Sequence, residues 1–292
     1  MVLVTLLWST AGIVTRQLER AQGLEVTCLR SAFNGAFLVL ILGALRGPRG
    51  LWRELARGGP ALWGSGLCWA VMFTAFMWAL TLTSVANVLV TMAVAPLLTA
   101  LGARLWLGYR LPTRTWAALL LAAFGLWILF GGGFESRSSR DLLGLGVALA
   151  VPMANAVNWL LLQRYAFSGG APAASGARDF LPAVLLGALL SALATLPAAW
   201  PFEASGADLA WLAGLGLFQL AVPCLLMVVV ARVLPGPELS LLALLEVLFG
   251  VLWAWWFAGE VPGLGVRLGG ALVLLALVGD QALSLRRRPL PA

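Results

Sequence analysis

Ten apolar stretches, each long enough to cross a bilayer, run along these 292 residues and are separated by short arginine-bearing loops. A helix crosses about 30 Å of hydrocarbon with roughly 20 residues at ~1.5 Å each. Inside the hydrocarbon every backbone N–H and C=O must be satisfied within the chain, so such stretches must be helices. With 61% of residues hydrophobic, 11% charged and a mean hydropathy of +0.96, a soluble domain would lack the polar surface to cover its core. The fold class read from the sequence is an all-α polytopic membrane protein. The spans are expected over residues 2–16, 28–45, 60–80, 85–107, 115–131, 142–163, 180–200, 209–231, 239–258 and 264–283.

Composition removes several function classes. The chain has no histidine, which excludes His-based zinc and haem sites, His proton relays and triads with a His base. Only 12 residues are acidic, and none form a paired cluster within an apolar run, as an intramembrane hydrolase or prenyl transferase would show. Cys28, Cys68 and Cys224 lie far apart in apolar runs and read as small hydrophobes. No enzyme activity, metal or cofactor is expected. There is no P-loop and no soluble domain to hold one, so ATP-driven transport is not expected either. The net charge of +7 comes from arginines at span ends, which suits acidic lipid headgroups better than nucleic acid. No basic n-region or small-residue cleavage site precedes Arg16, so a cleaved signal peptide is not expected.

Arginine placement orients the spans. With the N-terminus in the cytoplasm, Arg46, Arg49, Arg53, Arg57, Arg104, Arg110, Arg114, Arg164, Arg178, Arg232 and Arg286 to Arg288 fall inside and only Arg16, Arg20, Arg137, Arg140 and Arg267 fall in outer loops, while Glu19, Glu25, Glu135, Asp141, Glu203, Asp208 and Glu260 fall outside. Ten spans then place both termini in the cytoplasm.

The two halves resemble each other. Residues 86–96 and 107–112 of the first half match residues 237–247 and 258–262 of the second, with Asn87 opposite Glu238, Pro96 opposite Val247 and Gly108 opposite Gly259. Arg30 and Arg178 also correspond. An odd number of helices per half means that the second copy enters from the opposite side, an inverted repeat suited to alternating access. The expected division is 1–133 for the first five-helix repeat, 141–285 for the second and 286–292 for a cytoplasmic tail.

These motifs resemble the drug/metabolite transporter superfamily, in its EamA-type ten-helix branch. Leu245-Glu246-Val247-Leu248-Phe249 followed by Ala258-Gly259-Glu260 is similar to the family's LEPxF…GE run, with Val247 in the usual proline position. Val94-Ala95-Pro96-Leu97 followed by Gly108-Tyr109-Arg110 is the first-half copy, with Tyr109 replacing the common Glu, and Leu29 to Phe33 resembles the second-helix Arg motif. The resemblance implies a carrier in the bacterial inner membrane, most such carriers being exporters of amino acids and related metabolites. It also implies two inverted five-helix bundles around a cavity lined by helices one, three, four, six, eight and nine.

The sharpest candidate site residue is Glu246, roughly 10 Å deep in the ninth span by helical rise. A charge there costs on the order of 3 kcal/mol unless a wet cavity, a partner or a proton offsets it. It is read as a proton-coupling or substrate-amine site, against a structural carboxyl bonded to a neighbouring helix. Asn155, Asn158 and Trp159 share a face of the sixth helix just after Pro152. Pro96, Pro152 and Pro223 are expected helix breaks, with Thr91 and Gln219 beside them on the cavity. Trp8, Trp78 and Trp253 are candidates for aromatic walls. Arg30 is expected to snorkel or to pair with a loop acid such as Glu25, against a reading as a site for a substrate carboxylate. Gly43-xxx-Gly47 and Gly265-xxx-Gly269 read as helix-packing surfaces.

The function read from the sequence is a secondary transporter that exports a small metabolite (an amino acid, amine or related amphipathic solute) by alternating access. The proton is the candidate coupling ion, and the chain is a monomer or homodimer. The rival reading is a non-transporting membrane protein, such as a lipid-modifying enzyme or an assembly subunit.

Overall fold

The computed structural model describes residues 1–15, 17–83, 88, 91–92, 94–108, 111–130, 138–167, 180–234, 236–258 and 264–285, and every regular element among them is helical. In chain order these are α1 (Val2–Trp8), α2 (Ala11–Thr15), α3 (Gly23–Arg46), α4 (Pro48–Arg57), α5 (Gly59–Leu82), α6 (Ala95–Trp106) and α7 (Thr113–Phe130). Then follow α8 (Ser139–Phe167), α9 (Leu181–Ala199), α10 (Gly206–Gly214), a π-helical stretch (Leu215–Ala221), α11 (Val222–Val230), α12 (Gly236–Ala243), α13 (Leu245–Ala258) and α14 (Leu264–Leu285). Six helical stretches among the described residues are long and apolar enough to cross a membrane: Gly23–Arg46, Gly59–Leu82, Ser139–Tyr165, Leu181–Ala199, Gly206–Val230 and Glu238–Phe257. Val2–Thr15, Thr113–Ile128 and Arg267–Ala276 are shorter apolar helices.

Proline and glycine punctuate the chain where the helices need it. Proline occupies the first or second position of α4, α5, α6, α9 and α11, where its missing N–H leaves no carbonyl unpaired. Gly47 and Gly59 take φ of 73° and 66°, conformations that a side chain disfavours, and set sharp turns at either end of α4. Pro152 does not break its helix: α8 runs unbroken from Ser139 to Phe167. Side-chain and neighbouring contacts make such prolines tolerable in apolar surroundings.

The helices pack as interlocked pairs: α5 against α8 and α9, α3 against α9 and the π-helical stretch, α6 against α8 and α12, α7 against α14, and α1 against α11 and α13. Glycines permit the closest crossings. A Cβ on Gly187 would lie 2.3 Å from the Trp69 Cβ, and one on Gly66 2.8 Å from the Leu186 Cβ, so α5 and α9 nearly touch backbones. A Cβ on Gly125 would lie 2.8 Å from the Gly269 carbonyl oxygen, so the 265–269 pair does pack, against α7. The 43–47 pair does not: nothing approaches a Cβ on either glycine, and Gly47 serves as the turn.

Hydroxyl contacts stitch distant helices together. Ser31, Ser191 and Thr74 form a chain from α3 through α9 to α5 (3.0 and 2.8 Å), and the Thr99 and Ser240 hydroxyls meet at 2.9 Å between α6 and α12. One end of the molecule is fastened further by carboxylates. Asp208 accepts from the backbone amides of Glu19, Arg20, Ala21 and Ser205 at 2.7–3.1 Å. Glu25, in the first turn of α3, accepts from the amides of Glu203 and Ala204 at 2.7 and 2.8 Å. Each acid thus holds the loop that leads into the other's helix. At the same end Asp141 accepts from Thr83, and Arg140 donates to the Thr81 carbonyl. Beneath them Ala21, Val26, Met77, Leu212 and Leu215 form an apolar layer.

Candidate functional site

The helices enclose a cavity of about 110 Å³. That is room for several waters or a small solute, well below the ~300–1,000 Å³ of sites for drug-sized ligands. Its wall includes Trp8 of α1, Arg30 of α3, Trp69 and Phe73 of α5, Asn155 and Trp159 of α8, Gln219 of the π-helical stretch, Ser240 of α12 and Glu246 of α13.

The wall coincides with the irregular parts of the helices. The first helical run is interrupted at Ser9 and Thr10, directly after Trp8, and their hydroxyls bond back to the Leu6 and Leu7 carbonyls at 2.7 Å. Side-chain oxygens here occupy carbonyls that a continuous helix would have used. At Val94 a turn precedes α6, whose N-terminus carries Ala95 and Pro96. Leu244 is a turn between α12 and α13, so Glu246 lies in the first turn of a new helix, where the backbone amides favour an anion. Gln219 lies in the π-helical stretch that ends at Ala221, and Pro223 follows in the first turn of α11. Wide turns of this kind concentrate at functional sites because they aim side chains that a regular helix cannot.

The polar chemistry of the wall is two-sided. Arg30 is only 1% exposed; its guanidinium donates to the Gln219 Oε1 (3.2 Å) and to the Phe73 carbonyl (3.1 Å). It therefore neither snorkels nor meets Glu25, which is occupied with the Glu203 and Ala204 amides. Buried arginine carries a large desolvation cost unless its donors are used, and the two contacts use part of the fork. Among the described residues its Nε has no partner, nor do the indole nitrogens of Trp69 and Trp159 and the Asn155 Oδ1. Glu246 lines the same cavity, and no hydrogen bond or ion pair joins it to another described residue. The wall thus combines an arginine, indole and amide side chains and a carboxyl group, with aromatic and aliphatic surface between them.

The other sequence candidates lie elsewhere. Asn158 is fully buried but faces α5, where its Oδ1 accepts from Ser65 at 2.6 Å. The i, i+4 pair Asn155 and Trp159 shares the cavity face, and Asn158 falls on the next one. Trp78 is 40% exposed on the outer surface of α5. The Trp253 Nε1 donates to the Ser9 Oγ at 2.8 Å, outside the lining, and so braces the interruption after α1. Thr91 is half-buried and is not part of the wall. Asn87, Tyr109, Arg178, Gly259, Glu260 and Arg286 to Arg288 lie outside the described residues. Sequence reasoning passed over Trp69, Phe73 and Ser240 as cavity residues. Trp69 and Phe73 carried a usable signal, an aromatic pair at i, i+4 beside the Gly66 crossing.

Residues 1–131 match the EamA-like transporter family. That match is consistent with the drug/metabolite transporter superfamily, and the six long apolar helices indicate a multi-pass membrane protein. The EamA-like match covers α1 to α7 and with them Trp8, Arg30, Trp69 and Phe73 of the cavity wall. The rest of the chain is reached by fold. A protein solved by crystallography ("Crystal structure of protein") superposes with a TM-score of 0.78 at 20% identity, over 98% of this chain and 96% of the other. No curated protein matches the chain.

Proposed function

We propose that this chain is a secondary transporter that carries a small amphipathic metabolite, of the amino-acid or amine type, outward across a bacterial inner membrane by alternating access. The observation that carries this reading is the cavity itself. It lies where four helical runs are interrupted or widened, and it holds in one small space a buried Arg30 and a Glu246 that has no partner among the described residues. Discontinuous helices at a central site are how secondary transporters build binding surfaces from backbone and side chains together. The cavity volume favours a small solute over a drug-sized one.

In this reading the ten runs form two inverted repeats, 1–133 and 141–285, with both termini in the cytoplasm. The packing supports it. Under a five-helix offset the pairing of α5 with α8 corresponds to that of the α10–α11 run with α1, and the pairings of α3 with α9, α6 with α12 and α7 with α14 map onto themselves. Glu246 takes up and releases a proton, or an ammonium group, once per cycle. Asn155, Gln219 and Trp8 contact the solute, while Asn158, Thr91, Trp78 and Trp253 are assigned to helix packing or to lipid.

The deciding experiment is flux in liposomes that contain only this protein, preceded by a thermal-shift screen of amino acids, amines, nucleosides and aromatic drugs. A ligand held by the folded state alone raises the melting temperature by mass action. A hit that is transported, and that is lost in Glu246→Gln, supports the reading. A folded protein with no ligand and no flux would favour a non-transporting role.

A further inference from the structure

We infer that α4 is an interfacial helix that binds the headgroups of anionic phospholipids. Its ten residues cover about 15 Å, too short to span a bilayer. The turns at Gly47 and Gly59 place it directly between two membrane-length helices, at the level of their ends. Its residues divide by face. Leu51 is buried and Leu55 half-buried against the core that contains Leu42 and Leu62. Arg49, Arg53 and Arg57 repeat every four residues along the opposite, exposed face. Between the two faces stands Trp52, 74% exposed.

The charges on this face are not used by any described residue. Glu54, the acid of α4, pairs with Arg46 at the end of α3, and no described residue pairs with Arg49, Arg53 or Arg57. The same end of the molecule carries exposed Arg104, and Arg164 lies over the Trp106 ring at 5.9 Å. This end is thus a basic, tryptophan-bearing surface, whereas the acids Asp208, Glu25 and Asp141 serve the opposite end. Positively charged side chains are drawn to an anionic phosphate surface whether guanidinium or ammonium, and indole rings settle at headgroup level. Each basic residue beside an anionic surface strengthens attachment about fivefold, so three act together on the order of a hundredfold.

The test uses the full chain in a neutral detergent, titrated with phosphatidylglycerol or with phosphatidylcholine. Phosphatidylglycerol is expected to raise the melting temperature by about 3 °C or more over phosphatidylcholine. The triple variant Arg49→Gln, Arg53→Gln, Arg57→Gln is expected to lose most of that difference, and the triple Arg→Lys variant to keep it. Equal shifts with the two lipids, an undiminished shift in the Gln variant, or loss of the shift in the Lys variant would each overturn the inference. Should the Gln variant fail to fold, Arg53→Gln alone is expected to lower the shift by a measurable fraction, and an unchanged shift there would overturn it as well.

Discussion

At the scale of single residues, the cavity wall separates two kinds of polar group. Arg30 is committed to Gln219 and to the Phe73 carbonyl, so its loss harms architecture as well as binding. Arg30→Met is expected to leave the Gln219 oxygen unpaired and to lower stability by about 1–3 kcal/mol, read as a fall in melting temperature. Glu246 has no such commitment. Glu246→Gln is expected to leave the melting temperature within a degree or two while cutting flux at least tenfold and flattening its dependence on pH, measured in liposomes. If flux and its pH profile persist, the carboxyl is structural. Glu246 and Gln219 were legible in the sequence because a lone polar residue in an apolar run needs a reason to be there. Arg30 was misread because its partners are distant: Gln219 lies 189 residues away in sequence, and the other acceptor, 43 residues away, is the backbone carbonyl of Phe73. Nothing in a local window points to either.

At the scale of elements, helix positions were easier to read than helix faces. Apolar runs located every described span to within a few residues, since length and hydropathy are set by bilayer thickness. Rotation was not legible: α5, α8 and α9 are apolar all round, so no polar stripe told Trp69 from Trp78, or Asn155 from Asn158. Two interruptions, at Ser9 and at Leu244, lack proline and were invisible, whereas Pro96 was seen. Crossing points give the clearest element-scale test. Gly187→Ala pushes a methyl onto Trp69 and the Gly66 carbonyl, and is expected to destabilise by about 1–3 kcal/mol. Gly146→Ala in α8, where nothing lies within 4 Å, is expected to be neutral or slightly stabilising. Melting curves of the two variants side by side would show whether close backbone approach, rather than loss of glycine as such, is what matters.

At the scale of the whole molecule, the proposed alternating-access cycle has α6 and α12, which both contribute to the cavity wall, move relative to one another. The Thr99 and Ser240 hydroxyls, 2.9 Å apart, mark where they meet. Cysteines at these two positions, in a background with the three native cysteines replaced, are expected to cross-link under oxidation and stop flux, with recovery on reduction. Full flux in the cross-linked protein would show that this contact persists through the cycle. The carboxylate-fastened end has a different consequence. Asp208 grips backbone amides at residues 19–21, and Glu25 grips those at 203 and 204, so neither clamp reads the side chains of the loop it holds. The exposed positions Glu19, Arg20 and Glu203 are therefore free to exchange almost any residue while the fastening stays intact, proline being the exception because it brings no amide hydrogen, whereas Ala21 and Ala204 are also held by the apolar layer. The two acids, by contrast, have no substitute. Across divergent relatives this surface should vary freely in its lettering over a fixed pair of anchors.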